Sequence, residues 1–367
     1  MKFQIQREAL LKPLQQIVGV VERRQTLPVL SNVLVNASGE GITLTATDLE
    51  VELMASTVQT VAEPGETTLP ARKILDICRT LPEQATLEVT VDQERAMVRS
   101  GRSRFTLATL PAAEFPVVED VKAGQSFEVP QKDLRELIER THFSMAQQDV
   151  RYYLNGLMLE MGEHRLRAVA TDGHRLALCD MGASIEGGSG EQVIVPRKGV
   201  MELLRLLEDS DAPVQVQVGS NHIRVSVPEI RFTSKLIDGR FPDYDRVVPT
   251  GGDKRMEADR ELLRQALART SILSNEKYRG IRLNLEPGAL RIQAHNPEQE
   301  EAEEEIEVAY DGEPLEIGFN VTYLMEALGA IPGERVTVTL RDSNSSSLIE
   351  EVGGQMPCKY VVMPMRL

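Results

Sequence analysis

The sequence predicts an α+β protein made of three topologically similar domains, and three observations lead to this fold class. First, ITLTATDLEVEL resembles LRAVATDGHRLAL, so that Thr47-Asp48 recurs 124 residues later as Thr171-Asp172, and a third copy lies a further 124 residues on. Second, the copies open alike, on FQIQREALLKPLQQIV, FEVPQKDLRELIERTH and MEADRELLRQALARTS. Third, helical and strand patterns alternate within each copy, which is typical of an α+β layer architecture.

Each copy is predicted to contain two helices. The opening helix of the third copy carries Leu262, Leu263, Ala266 and Leu267 on one apolar stripe, and its arginines lie outside that stripe. The second helix of the central copy is PRKGVMELLRLL, and its counterpart in the first copy is LPARKILDICRTL. The predicted helical segments are 7–18, 72–80, 132–142, 197–208, 259–270 and 320–330.

Strands are predicted between the helices. Segments such as GITLTAT and PVQVQVGSNHIRVSV alternate between apolar and polar residues. This pattern is typical of strands, because successive side chains of a strand face opposite sides of a sheet. The segments VVEDVKAGQS and VPTGGDK are rich in Gly, Pro and charged residues, which is typical of linkers. We therefore predict one domain over residues 1–120, a second over 128–246 and a third over 247–367.

The composition indicates a globular protein of the cytoplasm. Of the 367 residues, 41% are hydrophobic and 26% are charged, which is ordinary for a globular domain. The N-terminal stretch has no long apolar run, so we expect neither a secretory signal nor a membrane span. Cys78, Cys179 and Cys358 are far apart and form no CxxC pair, which argues against a disulfide scaffold and a cysteine-based zinc site. We expect buried free thiols, no metal and no cofactor.

The stretch VATDGHRLAL has residue types found in active sites, since Asp172 stands two residues before His174. A hydrolase that uses these two side chains is therefore one hypothesis. The repeat favours another, because the first copy keeps the aspartate as Asp48 but follows it with Leu49 and Glu50. A short polar side chain at the end of a strand accepts backbone N–H groups in the turn. The sequence also has no GxSxG, P-loop or HExxH motif, so we expect a protein without catalytic residues.

Charge is distributed unevenly along the chain. The net charge of −15 opposes a nucleic-acid partner at first sight, but the predicted helices together carry more basic than acidic residues. If these helices share one side of a larger assembly, they give it a positive lining for a polyanion. RAMVRSGRSRFTL in the first copy is basic, and PEQEEAEEEIEV in the third is acidic. Two chains that match these segments head to tail would close into a ring; the alternative is a monomeric acidic scaffold.

The sequence closely resembles the bacterial DNA polymerase III β subunits, the family of DNA sliding clamps. The resemblance covers the whole chain and rests on LLKPLQQ, TLPVLSN, PARK, DICR, SGRSRF, QDVRYYLNG, ATDGHRLA, VPRKG, DGRFPDY, ILSNEKYRG, NPEQEEAEE and YVVMPMRL. It implies the DNA clamp fold and a head-to-tail homodimer, which forms a six-domain ring with helices inside and sheets outside. It also implies a processivity factor that encircles duplex DNA without sequence preference and tethers the replicative polymerase.

The resemblance implies one set of residues for DNA and another for the second chain. The residues that would face DNA are Arg24, Arg72, Gln148, Tyr152, Tyr153, Arg197 and Lys198. The dimer interface would join Lys73, Arg95, Arg102, Arg104, Phe105 and Leu107 of one chain to Ile272, Leu273, Glu298, Glu300, Glu301 and Glu304 of the other. Weak phosphate contacts suit a sliding ring because they carry no base information, and the two tyrosines suit stacking on single-stranded template.

The resemblance further implies one peptide pocket per chain, which takes short, mostly apolar segments of client proteins. The expected clients are the DNA polymerase III α subunit, the clamp loader δ subunit, other polymerases, and mismatch-repair or ligase proteins. The matching positions are Leu154, Thr171, Gly173, His174, Arg175, Leu176, Pro242, Arg246, Val247, Val361 and Met363, with a neighbouring subsite of Arg151, Tyr153, Ser346, Pro364, Met365 and Arg366. Methionines adapt to varied apolar side chains and therefore suit many clients. Position 344 is Asn344, where some members of the family have an apolar residue.

Overall fold

The structure is a computed structural model that describes residues 1–22, 27–118, 121–122 and 124–366. These residues form two compact units, one of Met1–Lys132 with Lys198–Leu236 and one of Asp133–Arg197 with Ile237–Leu367. The central repeat thus contributes strands to both units. The α-helices of the described residues lie within a turn of the predicted ends, at α1 (Arg7–Ile17), α2 (Ala71–Thr80), α3 (Gln131–Glu139), α4 (Arg197–Leu206), α5 (Arg260–Thr270) and α6 (Val321–Ala330).

Strands make up most of the remaining regular structure. In the first repeat they are β1 (Lys2–Gln6), β2 (Asn32–Ser38), β3 (Gly41–Thr47), β4 (Val51–Thr57), β5 (Val61–Glu63), β6 (Gly65–Pro70), β7 (Thr86–Asp92), β8 (Arg95–Ser100) and β9 (Ser103–Ala108). In the central repeat they are β10 (Gln125–Pro130), β11 (Gly156–Gly162), β12 (Arg165–Thr171), β13 (Arg175–Gly182), β14 (Ser189–Pro196), β15 (Pro213–Val218), β16 (His222–Val227) and β17 (Ile230–Lys235). In the third repeat they are β18 (Lys254–Asp259), β19 (Gly280–Glu286), β20 (Ala289–His295), β21 (Glu301–Glu307), β22 (Leu315–Asn320), β23 (Arg335–Leu340), β24 (Ser347–Glu351) and β25 (Cys358–Val362).

The first unit contains two antiparallel sheets. The smaller one has the strand order β5-β1-β7-β8-β9, so β9 forms one of its edges. The larger one has the order β10-β15-β16-β17-β4-β3-β2-β6. In this sheet β17 of the central repeat pairs with β4 of the first repeat, with Phe232 opposite Leu53. The two repeats are therefore joined by a ladder of main-chain hydrogen bonds.

The second unit repeats this arrangement. Its larger antiparallel sheet has the order β14-β11-β12-β13-β25-β24-β23-β18, and its smaller one the order β21-β20-β19-β22. Strand β25 of the third repeat pairs with β13 of the central repeat, with Val361 opposite Leu176. Strand β21 lies at the edge of the smaller sheet. The predicted α+β architecture is confirmed.

The helices bury one face each. Helix α1 packs against α2 in the first unit, and α5 packs against α6 in the second. In α5 the residues Leu263, Ala266 and Leu267 are buried as predicted, but Leu262 is exposed, so the apolar stripe is narrower than predicted. Its N-terminus is capped by Asp259, whose carboxylate accepts the N–H of Leu262 at 2.8 Å.

The prediction of three free thiols is wrong. Cys179 and Cys358 form a disulfide between β13 and β25, where the two residues stand opposite each other in register. Their separation of 179 residues hides the pairing from a reading of cysteine spacing. Cys78 remains a free thiol in α2, and burial raises its pKa to about 12.

The described residues lack two features that would bear on function. No group of three or more His, Cys, Asp and Glu side chains among them is arranged to hold a metal ion. No helix in this part of the chain is both long and apolar enough to cross a membrane.

Candidate functional site

The segment Thr171 to Arg175 forms a tight turn between β12 and β13. The Thr171 hydroxyl donates to the carbonyl of Arg175 at 2.6 Å and accepts the N–H of Gly173 at 3.1 Å. One carboxylate oxygen of Asp172 accepts the N–H groups of His174 and Arg175 at 2.9 and 3.1 Å. The aspartate is thus occupied by the backbone of its own turn.

The first copy repeats this turn bond for bond. The Thr47 hydroxyl donates to the carbonyl of Val51 at 2.9 Å, and Asp48 accepts the N–H groups of Glu50 and Val51 at 2.9 and 2.7 Å. In the third copy Asn296 accepts the N–H of Glu300 at 2.9 Å. The prediction that this position is a turn residue is confirmed, and the hydrolase hypothesis loses its basis because the same device occurs where no histidine follows.

The turn needs a residue with positive φ after the aspartate. Gly173 has φ +89°, and Leu49 occupies the equivalent position with φ +78°. A Cβ at Gly173 would lie 2.8 Å from Nη2 of Arg151, which crosses the turn to donate to the carbonyl of Asp172 at 3.2 Å. Glycine suits this position because it adopts positive φ without strain and leaves room for the guanidinium of Arg151, which a Cβ would displace.

The substitution Gly173→Ala is expected to lower the free energy of unfolding by about 1–3 kcal/mol, since it adds a Cβ at positive φ against Arg151. Leu49→Ala is the matched control, because that turn already accommodates a Cβ in the same conformation. Urea unfolding of both variants measures the difference. Equal losses in the two variants would contradict the role given to Arg151.

Arg175 is buried behind the turn. Its guanidinium donates to the second carboxylate oxygen of Asp172 at 3.2 Å and to the carbonyl of Phe143 at 2.8 Å, and it forms an ion pair with Glu326 of α6. It also lies 4.5 Å from the centroid of the Tyr323 ring. The side chain is only 11% exposed. Arg175 therefore fixes the turn in place and has little surface to offer a ligand.

Arg151 is fixed from the other side. It makes two hydrogen bonds to the carboxylate of Asp149, at 3.0 and 2.9 Å, and these bonds lower the pKa of Asp149 to about 2. This partner was not among the predicted residues, although an aspartate two residues before an arginine is a local signal. Phe143, Tyr323 and Glu326 were not predicted either, because they are distant along the chain and the sequence carries no signal for their contacts.

An apolar cluster lies under the turn. Leu154, Leu176 and Val361 are buried in it, together with Phe241 and Tyr244. The other predicted pocket residues stand at its edge: Tyr153 and Val247 are half-buried, and Pro242, Arg246, Met363 and His174 are exposed. The N–H of Met363 donates to the carbonyl of His174 at 3.0 Å, which ties the segment after β25 to the turn.

A cavity of about 190 Å³ continues the pocket toward the predicted subsite, and Ser346 and Arg246 are among the residues that line it. Pro364 and Met365 are half-buried, whereas Arg366 and Asn344 are exposed. The N–H of Asn344 donates to the carboxylate of Asp342 at 2.9 Å, which closes a polar turn at this position. The structure therefore brings five of the predicted pocket residues together in or against one apolar cluster, namely Tyr153, Leu154, Leu176, Val247 and Val361.

The residues predicted to face DNA divide between the two units. In the first unit Arg72 is exposed and donates to the carbonyl of Val21 at 2.8 Å, and Lys198 forms ion pairs with Glu22 and Asp48. The prediction for Arg24 falls outside the described residues.

In the second unit Tyr152 is 56% exposed and stands edge-on to Tyr153, with ring centroids 5.7 Å apart. Gln148 is exposed with φ +55°, and Arg197 is half-buried. The side chains of Tyr152 and Tyr153 thus contact each other, and the exposed ring of Tyr152 is available to stack on a base.

The basic interface segment lies on the edge strand β9 of the first unit. Arg104 is exposed on this strand, Arg102 is exposed in the turn before it, and Arg95 is exposed at the start of the neighbouring strand β8. On β9 itself Phe105 is half-buried and Leu107 is buried. Lys73 is one of the residues that line an adjacent open cavity of about 820 Å³. The edge thus combines positive charge, unpaired backbone groups and an apolar recess.

The acidic interface segment lies on and before the edge strand β21 of the second unit. Glu298, Glu300 and Glu301 are exposed, while Glu304 already binds Arg269 of its own chain through two hydrogen bonds, which lower its pKa. The adjacent Ile272 is 75% exposed and Leu273 is half-buried. An isoleucine this exposed beside an unpaired strand edge is typical of an interface.

The three repeats, each with two helices and paired antiparallel sheets, define the chain as a protein of the DNA clamp class. The family models for the N-terminal, central and C-terminal domains of the DNA polymerase III beta subunit match residues 1–119, 128–243 and 245–366. The chain therefore belongs to the DNA polymerase III beta subunit family, and its function is that of a DNA sliding clamp.

Similarity to individual proteins extends over the full length. The chain is 60% identical to the beta sliding clamp of Pseudomonas putida and 54% identical to that of Escherichia coli, and the matches cover 100% of each chain. The crystal structure of the DNA polymerase III subunit beta from Pseudomonas aeruginosa is 58% identical, with a TM-score of 0.98 and coverage of 100% of both chains. The fold, down to the order of its elements, is thus that of solved clamps.

Proposed function

We propose that two copies of the chain close head to tail into a ring around duplex DNA and act there as a processivity factor without enzymatic activity, in the cytoplasm. The observation that carries this proposal is the pair of unpaired strand edges, β9 with exposed arginines on it and beside it and β21 with its glutamates. Unpaired edges leave main-chain donors and acceptors open to another strand. Two equivalent contacts of this kind close a ring of two chains.

Apolar contacts supply most of the closure energy in this proposal. Exposed ion pairs contribute only ~0–1 kcal/mol each. Ile272 and Leu273 carry the apolar surface beside β21, and Phe105 and Leu107 carry it on β9. The charges set the register and orientation of the two edges, because like charges opposite each other would oppose any other alignment.

DNA contacts in the ring are weak and mobile. The ring holds DNA by enclosure, so tight phosphate binding would only slow its movement. Lys198 fits this requirement because its charge is already offset by Glu22 and Asp48. Tyr152 supplies an exposed aromatic ring for bases of single-stranded template.

The apolar pocket serves as the docking site for clients, which include the DNA polymerase III α subunit, the clamp loader δ subunit, other polymerases, and mismatch-repair or ligase proteins. Its edge supports this role, since the half-buried Tyr153 and Val247 and the exposed Met363 offer apolar surface to a short segment above the buried floor of Leu154, Leu176 and Val361. Met363 and Met365 at its edge adapt to different side chains. A peptide with Gln, Leu and Phe is the ligand to test first.

Retention on DNA tests the ring. Protein loaded onto circular duplex DNA is expected to stay bound through a high-salt wash and to leave once a nuclease cuts the circle. Release before cutting, or the mass of a single chain in solution, would show that the protein does not enclose DNA as a closed ring.

The substitution Asp48→Asn is expected to tighten the binding of short duplex DNA about two- to threefold at low salt, because it removes one of the two carboxylates that offset the charge of Lys198. The amide oxygen of asparagine still accepts the N–H groups of the turn. Asp172→Asn is the matched control, since that carboxylate faces Arg175 instead. Titration of a fluorescent duplex measures both variants, and equal binding by Asp48→Asn and Asp172→Asn would contradict the DNA-facing role proposed for Lys198.

A further inference from the structure

Cys179 and Cys358 join the central repeat to the third repeat at a single point of the β13–β25 ladder. Their Cα atoms are 4.1 Å apart and both side chains are buried. The same ladder pairs Leu176 with Val361 and Arg175 with Val362. The disulfide therefore crosses the seam between two repeats, within a few residues of the pocket floor.

Each sulfur has a polar neighbour that stabilises a thiolate. Nη1 of Arg140 lies 3.6 Å from Sγ of Cys358, and the hydroxyl of Tyr360 lies 3.9 Å from Sγ of Cys179. A guanidinium next to a cysteine favours the thiolate form, and a hydroxyl donates a hydrogen bond to it. Both sulfurs are thus equipped to act as leaving groups when the bond is opened.

A cavity of about 470 Å³ lies beside this site. Arg140, Met356 and Pro357 line it, and the last two residues stand immediately before Cys358 in the chain. The remaining charged residues that line it are all acidic, namely Asp133, Glu136, Asp180 and Glu351. Arg140 pairs with Glu136 and Glu351, and Asp180 with Arg167, which leaves the cavity with an excess of negative charge. Such a cavity concentrates cations and repels anions.

We propose that Cys179 and Cys358 form a reversible thiol–disulfide site, which small cationic aminothiols open and close through the acidic cavity. One aminothiol thiolate attacks Sγ of Cys358, and the electron pair of the disulfide passes to Cys179. A second aminothiol thiolate attacks the mixed disulfide and releases the thiolate of Cys358 beside Arg140. The protein gains two thiols, and the two aminothiols leave as their disulfide; closure is the reverse reaction.

The disulfide is a covalent cross-link between β13 of the central repeat and β25 of the third repeat. A bond between residues 179 positions apart restricts the unfolded chain strongly, so the closed form is the more stable one. In a reducing compartment, disulfides of this kind are usually transient and respond to the redox state. The pairing of β13 with β25 is therefore more stable under oxidising conditions and less stable under reducing conditions.

The test uses the full-length protein treated with cystamine or with cysteamine. We expect cystamine to give a cross-linked peptide pair that contains Cys179 and Cys358, and to raise the thermal midpoint by about 5–10 °C over the reduced protein. Cysteamine should open the bond about tenfold faster than anionic glutathione at equal thiolate concentration. Alkylation of both thiols after cystamine treatment, identical midpoints, or equal rates for the two thiols would each overturn the proposal.

Cysteine variants provide the controls. Cys179→Ala and Cys358→Ala should abolish the dependence of the thermal midpoint on redox state. Cys78→Ala should retain it, because Cys78 is a buried free thiol elsewhere in the chain. The thermal midpoints of oxidised and reduced wild-type protein can be compared without any variant. This comparison therefore tests the proposal even if a substitution impairs folding.

Discussion

Leu273→Ala is expected to weaken each of the two contacts of the ring by about 2 kcal/mol, which raises the Kd of the dimer roughly 1000-fold. Leu273 and the exposed Ile272 form the apolar surface beside β21. Truncation of Leu273 removes contact area that the ion pairs cannot replace, since exposed pairs contribute little. Sedimentation equilibrium over a concentration series measures the change as a shift toward the mass of one chain.

Glu303→Ala is the matched control on the same edge. Glu303 is exposed, and its partners within the chain are Gln293 at 2.6 Å and Arg291 at 3.8 Å. Its removal is expected to change dimerisation by ~0–1 kcal/mol. If Glu303→Ala dissociates the protein more than Leu273→Ala does, charge and not apolar contact holds the edges together.

Arg175→Ala is expected to lower the free energy of unfolding by about 3 kcal/mol and to abolish binding of a client peptide. The substitution leaves Asp172 and Glu326 without their shared cation and removes the guanidinium that lies over Tyr323. The turn that carries His174 then loses its support from α6. Urea unfolding and fluorescence titration with a labelled peptide measure the two effects.

Arg246→Ala separates support from ligand contact. Its side chain is 86% exposed and pairs with Asp243 three residues earlier, at 2.8 Å. Loss of this side chain is expected to change the free energy of unfolding by ~0–1 kcal/mol. It is still expected to weaken the binding of the client peptide. Equal destabilisation by the two arginine variants would contradict the supporting role of Arg175.

Local patterns in the sequence were sufficient for much of the fold. The helical segments follow from apolar periodicity, and the turn at Asp48 and Asp172 follows from the repeat, because both depend on residues close together in the chain. The repeat also argues against an active site at Asp172. Its counterpart Asp48 is followed by Leu49 and Glu50, without a histidine that could act with it. The residues assigned to DNA, to the second chain and to the clients stay predictions.

Contacts between distant residues escaped the sequence. The pairings of β4 with β17 and of β13 with β25 join different repeats, and no local pattern specifies the partner of a strand. The disulfide and the ion pair between Arg175 and Glu326 depend on those pairings. A repeat therefore predicts what each copy contains but not how the copies are joined.

The ladders between repeats have a mechanical consequence. A flexible linker bends easily. A continuous sheet resists bending, because every main-chain hydrogen bond between the two strands must be distorted. The seams at β4–β17 and β13–β25 are stiff for this reason, and the chain has no soft hinge at either place. Force applied to open an assembly of two such chains is expected to part β9 from β21 before it tears either seam.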